Sequence, residues 1–249
     1  MPIARISDKL ELAYLDKGEG ETIVLVHGFA SSKEANWVEP GWVRLLVEAG
    51  YRVVAFDNRG HGQSTKFHSS DAYSLGQMAA DTLALMERLG IERPHVMGYS
   101  MGARISALLA MNHGERFGRV VLAGNGMSMI EGSGDWTPVR DALLAPSLSD
   151  VTDLRGRAFR KFADATKSDL RALAECVTAV REQFSADDFR RIANKVLIAI
   201  GTEDDIAGAG EPIAALIGDA EFLPIPGRDH MRAVGDKVYK QGVLDFLSA

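Results

Sequence analysis

The sequence predicts an α/β protein with a largely parallel sheet and helices on both sheet faces. Five short runs rich in Val and Ile are hydrophobic almost without interruption, as strands buried on both faces must be. Stretches of helical periodicity separate the runs, and such alternation folds through right-handed crossovers around one sheet. In chain order the runs are ETIVLVHG, YRVVAFDN, HVMGYS, GRVVLAGN and NKVLIAIG.

The elements around these runs follow from periodicity. KLELAYLDKG alternates apolar and polar residues, which predicts an antiparallel hairpin at the edge of the sheet before the parallel strands begin. GWVRLLVEAG and SLGQMAADTLALMERLG predict helices between strands, and Gly90 is placed to cap the second of them.

The alternation of strands and helices breaks after Gly126. Residues 127–190 contain helical stretches without a convincing strand, and NKVLIAIG then resumes the sheet. We therefore expect a core formed by residues 1–126 and 191–249, with a helical cap of residues 127–190 over the carboxyl edge of the sheet. Apolar cap residues are expected either to line a substrate pocket or to pack against the sheet; they are Met127, Met129, Trp136, Leu143 and Leu144.

Composition excludes several classes of partner. The chain has 249 residues, 46% of them hydrophobic, and a net charge of −6 without a basic stripe, which argues against nucleic acid as the main partner. Apolar runs fall short of the roughly 18–20 residues needed to span a bilayer, and the N-terminal stretch does not resemble a secretory signal. The single cysteine, Cys176, cannot form an internal disulfide, which fits a reducing, cytoplasmic compartment.

The motif GYSMG places Ser100 between Gly98 and Gly102, directly after a predicted strand and before a predicted helix. A serine in this strand-to-helix turn is strained, and the turn aims the free amides of the helix N-terminus at its hydroxyl. Glycines on either side allow the helix to cross the strand closely. Ser100 is therefore the predicted nucleophile.

A serine nucleophile needs a base and an acid that orients the base. In this topology the order along the chain is Ser, acid, His, and His230 is the one histidine downstream of the acidic loop that follows VLIAI. In that loop the spacing after Gly201 favours Asp204 as the acid, with Asp205 as the alternative.

The oxyanion of the tetrahedral intermediate needs two preorganised donors. We expect these to be the backbone N–H of Met101, directly after the nucleophile, and that of Phe29, in the loop after the first parallel strand. His27, in the same loop, is expected to be a structural hydrogen-bonding residue instead of a second base.

The blocks HGFA, DNRGHGQS, GYSMG, GTEDD and PGRDHM, in this order between residues 27 and 231, resemble α/β-hydrolases of the bacterial serine esterase type. The resemblance implies an eight-stranded, mostly parallel sheet, a helical cap after the sixth strand, and a Ser-His-Asp mechanism that uses no cofactor and no metal. It also implies that Asp57 and Arg59 of the second block pin loops and do not react.

Together these features predict a serine hydrolase that cleaves small to medium-sized carboxylic esters. As partners we expect a small-molecule ester, no nucleic acid and no membrane span, in a monomer or homodimer. Carbon–carbon bond hydrolysis of β-diketones or ring-cleavage products, and thioester or lactone hydrolysis, stay open as alternatives. A non-catalytic ligand receptor of the same fold is the remaining alternative.

Overall fold

One eight-stranded sheet organises the chain, and the computed structural model describes it over residues 2–249. The strand order is β1-β2-β4-β3-β5-β6-β7-β8. Strand β2 pairs antiparallel with β1 and with β4, and every other pairing is parallel, so the predicted edge hairpin and parallel sheet are confirmed. The strands are β1 Ile3–Ser7, β2 Leu10–Lys17, β3 Thr22–Val26, β4 Arg52–Phe56, β5 His95–Tyr99, β6 Val120–Ala123, β7 Val196–Gly201 and β8 Ala220–Ile225.

Helices connect the parallel strands and cover both faces of the sheet. They are α1 Trp42–Glu48, α2 Leu75–Arg88, α3 Met101–His113, α4 Ser128–Glu131, α5 Thr137–Leu144, α6 Leu154–Ala165, α7 Leu170–Ala179, α8 Ala186–Arg190, α9 Glu211–Ala214 and α10 Lys237–Ser248. Helices α4 to α8 lie between β6 and β7, where the sequence predicts a cap. None of the helices within residues 2–249 has both the length and the apolarity needed to cross a bilayer.

The uninterrupted hydrophobicity of the strands reflects burial on both faces. In β3, Ile23 and Leu25 pack in one cluster with Trp42 of α1 and Phe246 of α10. Val24 and Val26 face the opposite side and belong to the cluster that contains residues of α2 and α3. Because successive side chains of a strand point to opposite faces, a strand between two helical layers must be apolar at every position.

One helix within residues 127–190 is shorter than its sequence pattern suggests. The apolar periodicity extends over DLRALAECVTAVREQF, but α7 ends at Ala179. The Phe184 N–H donates to the carbonyl oxygen of Met129 at 2.9 Å, and the ring of Phe184 packs against Phe189. Tertiary contacts to α4 and α8 thus take this segment out of the helix.

Candidate active site

Ser100 lies in a strained turn between β5 and α3. Its φ of 54° and ψ of −113° are unusual for a residue with a side chain, and such strain persists only where the surrounding structure enforces it. A Cβ at Gly98 would collide with the carbonyl of Gly102, and one at Gly102 would collide with the carbonyl of Val26. Glycine at both positions therefore allows α3 to cross β5 closely enough to form the turn.

His230, in the loop after β8, connects Ser100 with Asp204. His230 Nε2 lies 2.9 Å from Ser100 Oγ, and Nδ1 lies 2.8 Å from Asp204 Oδ2. The carboxylate accepts a hydrogen bond from Nδ1–H, so the lone pair of Nε2 faces the serine hydroxyl. The histidine side chain is 7% exposed and the aspartate side chain 0%.

The loop after β7 decides between the two neighbouring aspartates. Asp204 Oδ1 accepts hydrogen bonds from the backbone N–H groups of Ile206 and Ala207, at 3.0 and 2.9 Å. These bonds fix the carboxylate with its other oxygen toward His230. Asp205 is exposed. The structure thus brings Ser100, Asp204 and His230 together, and the alternative acid is not part of this group.

Two supporting side chains carry no signal in the sequence. The Tyr99 hydroxyl donates to the backbone carbonyl of His230 at 2.7 Å, and burial raises the pKa of Tyr99 well above its usual value, so the hydroxyl keeps its proton. Asn125 Nδ2 donates to the carbonyl of Ser100 at 3.1 Å, while its Oδ1 accepts from the Ser128 hydroxyl at 2.7 Å. Tyr99 thus holds the backbone of His230, and Asn125 holds the backbone of Ser100.

The two predicted oxyanion donors border the same site. Phe29 follows Gly28 in the loop after β3, and a Cβ on Gly28 would lie only 3.3 Å from the Cβ of Ser100. Met101 is the first residue of α3. Within residues 2–249, neither the Phe29 N–H nor the Met101 N–H donates to a backbone carbonyl. Both groups are therefore free to donate to a bound oxygen.

A group of four buried side chains, His27, Lys33, Asp57 and His61, lies beneath the Phe29 loop; we call it the loop clamp. Asp57 Oδ1 accepts from the Lys33 N–H at 2.8 Å, and Oδ2 accepts from Lys33 Nζ, also at 2.8 Å. Burial alone would raise the pKa of Asp57, but the hydrogen bonds that its carboxylate accepts from Gln63 and Lys33 lower it below its usual value. The ionised carboxylate thus ties the end of the loop to the turn after β4.

His27 and His61 in the loop clamp are neutral structural groups. His27 Nδ1 donates to the Gly28 carbonyl at 2.8 Å, and Nε2 accepts from the Asn58 N–H at 2.9 Å. Burial lowers the pKa of His27, and it lowers that of His61 to about 3. Both nitrogens of His27 are occupied by the backbone, so its predicted structural role is confirmed.

A cavity of about 160 Å³ opens beside Ser100 and His230. Its walls include Phe29 and Ser31 from the loop after β3, and Phe159 and Phe162 from α6. Cavities of about 150 Å³ in proteins hold a benzene molecule, so this space accommodates a group of that size.

The aromatic residues of α6 replace the cap residues that the sequence proposes for the pocket. Met129, Trp136 and Leu143 are buried in the hydrophobic core, and Leu144 is exposed. None of the five expected residues lines this cavity. Of the two alternatives, packing applies to the three buried residues and to Met127, which is partly buried against the same core. Phe159 and Phe162 lie on a helix in which five of twelve residues are charged, so its composition does not indicate an apolar face toward the cavity.

A larger depression, of about 730 Å³, lies at the amino ends of the strands and includes Glu21, His95 and Arg119. His95 Nδ1 accepts from the Arg119 N–H at 2.9 Å, and Nε2 lies 3.1 Å from the Glu21 carboxylate. The ring of His95 is thus held by a backbone amide on one side and lies beside a carboxylate on the other. Open parallel sheets bind ligands at the carboxyl ends of their strands, where Ser100 lies. Within residues 2–249, His, Cys, Asp and Glu form no group that could hold a metal ion.

Comparisons with known proteins identify the fold family of the chain. Residues 21–162 match the family model described as alpha/beta hydrolase fold. The chain is 29% identical to a non-heme haloperoxidase from Rhodococcus erythropolis over the full length of both. A bromoperoxidase from Bacillus anthracis superposes with a TM-score of 0.83 at 26% identity, covering 100% of this chain and 99% of that one. An enol-lactonase from Burkholderia xenovorans LB400 shares the fold, with a TM-score of 0.82 at 23% identity and complete coverage of both chains.

Proposed function

Because the chain belongs to the α/β-hydrolase fold family, we propose that it is a serine hydrolase that cleaves small carboxylic esters through an acyl-enzyme. The observation that carries the proposal is the pair of contacts made by His230, 2.9 Å to the Ser100 hydroxyl and 2.8 Å to the Asp204 carboxylate. A histidine so placed removes the serine proton as the hydroxyl attacks.

In the acylation step, Ser100 Oγ forms a bond to the carbonyl carbon of the ester while His230 Nε2 takes the hydroxyl proton. The imidazolium that forms is stabilised by Asp204, which stays ionised. As the tetrahedral intermediate collapses, the bond to the alkoxy oxygen breaks and His230 returns the proton to the leaving alcohol. The products of this step are the free alcohol and an ester between Ser100 and the acyl group.

The negative oxygen of the intermediate is stabilised by the backbone N–H groups of Phe29 and Met101. Removing one such donor costs about 3–4 kcal/mol of barrier stabilisation in enzymes that use them. The Met101 amide lies at the N-terminus of α3, where the helix dipole adds to the attraction for an anion. The loop clamp holds the end of the loop that carries Phe29, because Lys33 is bound to Asp57 in the turn after β4.

In the deacylation step, water replaces the alcohol. His230 removes a proton from the water as its oxygen attacks the acyl carbon, and then returns that proton to Ser100 Oγ as the acyl–serine bond breaks. The carboxylic acid leaves and the site is restored.

The volume and the lining of the cavity limit the size of the substrate. Its volume of about 160 Å³ holds an acyl or alcohol group of about the size of benzene. We propose that residues 127–190 form a substrate-selecting cap, because α6 from this segment places Phe159 and Phe162 against the cavity. Small, partly apolar esters fit these dimensions best.

The test is the hydrolysis of p-nitrophenyl acetate and butyrate, followed by release of p-nitrophenol. We expect a rapid burst followed by steady turnover, with both abolished in Ser100→Ala and retained in Ser69→Ala, an exposed serine in the loop after β4. A fluorophosphonate probe should label the wild-type protein and Ser69→Ala, but not Ser100→Ala. Absence of both the burst and the labelling in the wild-type protein would overturn the proposal.

A further inference from the structure

The cavity beside Ser100 has one polar wall. Ser31 and Asn36, from the loop after β3 and the helical turn that follows it, face the site from one side. Phe159 and Phe162 of α6 provide apolar surface in the same cavity. An ester with a purely hydrocarbon acyl group needs only the apolar part of this lining.

The hydroxyl of Ser31 has unused hydrogen-bonding capacity. The residue is only 5% exposed, and its backbone N–H donates to the Gly28 carbonyl at 3.3 Å. Within residues 2–249 the Ser31 Oγ makes no hydrogen bond, and it is not fully enclosed by protein atoms. The hydroxyl of this buried residue therefore opens onto the cavity that the residue lines, where it can both donate and accept.

Asn36 adds a second unpaired group to the same wall. Its Oδ1 accepts from the Gly28 N–H at 3.0 Å, which fixes the side chain. Its Nδ2 is enclosed and has no partner among the described residues. Because this Nδ2 is enclosed, it does not reach a ligand in the cavity. The Ser31 hydroxyl is the accessible group of this wall, and since buried polar groups are nearly always hydrogen-bonded, it is suited to an oxygen supplied by a ligand.

The position of Ser31 along the loop defines which part of the substrate it meets. Phe29, two residues earlier, supplies the proposed oxyanion donor, and Gly28 lies against Ser100. A group next to the Ser31 hydroxyl is therefore close to the carbonyl that is attacked. The acyl carbon adjacent to that carbonyl is the nearest place for an oxygen substituent.

We propose that Ser31 is a specificity-determining residue that selects esters of carboxylic acids bearing a hydroxyl or keto oxygen on the carbon next to the ester carbonyl. The inference rests on the proposed ester hydrolysis and narrows its substrate class. The Ser31 hydroxyl hydrogen-bonds the substituent, while Phe159 and Phe162 contact the apolar remainder of the substrate.

The experiment compares methyl lactate with methyl 2-methylpropanoate, in which a methyl group replaces the hydroxyl at nearly equal volume. The ratio of their kcat/KM values is measured in the wild-type protein and in Ser31→Ala. We expect Ser31→Ala to lower the ratio three- to tenfold, the effect of one hydrogen bond, by slowing the lactate ester selectively. Differences in intrinsic reactivity between the two esters cancel when the two ratios are compared.

Val234→Ala is the matched control, because it shortens another residue of the cavity wall without removing a hydroxyl. Its ratio should stay within twofold of the wild-type ratio. Ser31→Cys, which nearly keeps the volume and weakens the hydrogen bond, should lower the ratio in the same direction and serves if Ser31→Ala folds poorly.

An unchanged ratio in Ser31→Ala and Ser31→Cys would overturn the role of Ser31, and this includes an equal fall in kcat/KM for both esters. These outcomes are distinct from failure of the proposed function. If the wild-type protein hydrolyses p-nitrophenyl acetate in a Ser100-dependent way, an unchanged ratio refutes the selection alone. If it does not, ester hydrolysis itself is refuted.

Discussion

Two groups of histidine and aspartate lie at the same edge of the sheet and differ in what they can do. In the first, His230 contacts the Ser100 hydroxyl and the Asp204 carboxylate and borders a cavity. In the second, the loop clamp, the ring of His27 hydrogen-bonds only to backbone groups and is fully buried. Both groups contain a buried carboxylate, so residue type alone does not distinguish them.

The difference lies in where the second imidazole nitrogen points. The Nε2 lone pair of His230 faces a hydroxyl at an accessible site, whereas the Nε2 of His27 accepts a hydrogen bond from the Asn58 backbone. A base must have a free lone pair within reach of the proton that it removes. The comparison therefore predicts that substitutions in the first group lower kcat, and that substitutions in the loop clamp lower the free energy of unfolding.

The largest expected effect is that of Asp204→Asn. An asparagine offers its NH₂ group to His230 Nδ1, which favours the tautomer that carries a proton on Nε2 and so cannot act as a base toward Ser100. We expect kcat for p-nitrophenyl acetate to fall by roughly 10³–10⁴-fold with the fold intact, as with the equivalent change in serine proteases. Asp205→Asn, at the exposed neighbour, should stay within twofold, and the reverse ranking would contradict the assignment of the acid.

Lys33→Met tests the loop clamp. The substitution leaves the Asp57 carboxylate buried without its cation, and breaking a buried ion pair costs about 3–5 kcal/mol. We expect a loss of this size in the free energy of unfolding measured with urea. Asp8→Asn, in the exposed pair of Arg5 with Asp8, should change it by less than about 1 kcal/mol. A loss of less than about 1 kcal/mol in Lys33→Met would show that the clamp does not hold the loop.

The acid stability of the protein follows from the neutral histidines of the loop clamp. Burial lowers the pKa of His61 to about 3, so between pH 6.5 and pH 3 the unfolded chain binds a proton at this residue that the folded chain does not. The stability contributed by neutral His61 is therefore complete above about pH 6.5 and decreases as the pH falls, by about 1.4 kcal/mol per pH unit.

Replacing His61 with Gln should remove this dependence. Urea unfolding at pH values from 7.5 to 4.5 should give a shallower decline in stability for His61→Gln than for the wild-type protein. His113→Gln, at the partly exposed C-terminal residue of α3, should keep the wild-type slope. Equal slopes in all three proteins would show that His61 is not held neutral by burial.

The smallest effect is expected at the cavity wall. Phe162→Ala removes an aromatic side chain of α6 from the cavity and should raise kcat/KM for p-nitrophenyl hexanoate relative to the acetate by about tenfold. This is the effect of burying about two of the four added methylenes at about 0.8 kcal/mol each. Leu154→Ala, at an 83% exposed residue of the same helix, should leave this ratio unchanged. An unchanged ratio in Phe162→Ala would place the acyl chain elsewhere.

The sequence predicts residues 1–126 and 191–249, the expected core, much better than residues 127–190, the proposed cap. In the core, hydrophobic runs and the glycines around Ser100 are dictated by local geometry: a strand buried on both faces must be apolar, and a tight crossing must be free of side chains. In the cap, periodicity indicates helices but does not say which face meets the cavity. Phe159 and Phe162 reach it because of the way α6 packs, and this depends on contacts distant in sequence.

By itself, the sequence determined the class of fold, the position of the strained serine turn, and the identity of His230 as the histidine able to reach it. These follow from the hydrophobic periodicity, the order of the motifs along the chain and the spacing of a few residues, none of which requires knowledge of tertiary contacts. Only the tertiary structure decided that Asp204, and not Asp205, meets His230, that Tyr99 and Asn125 brace the site, and that Ser31 opens onto the cavity. The reason is physical: the direction of a side chain in a loop depends on the backbone amides and neighbouring chains that hold it, and these come from distant parts of the sequence.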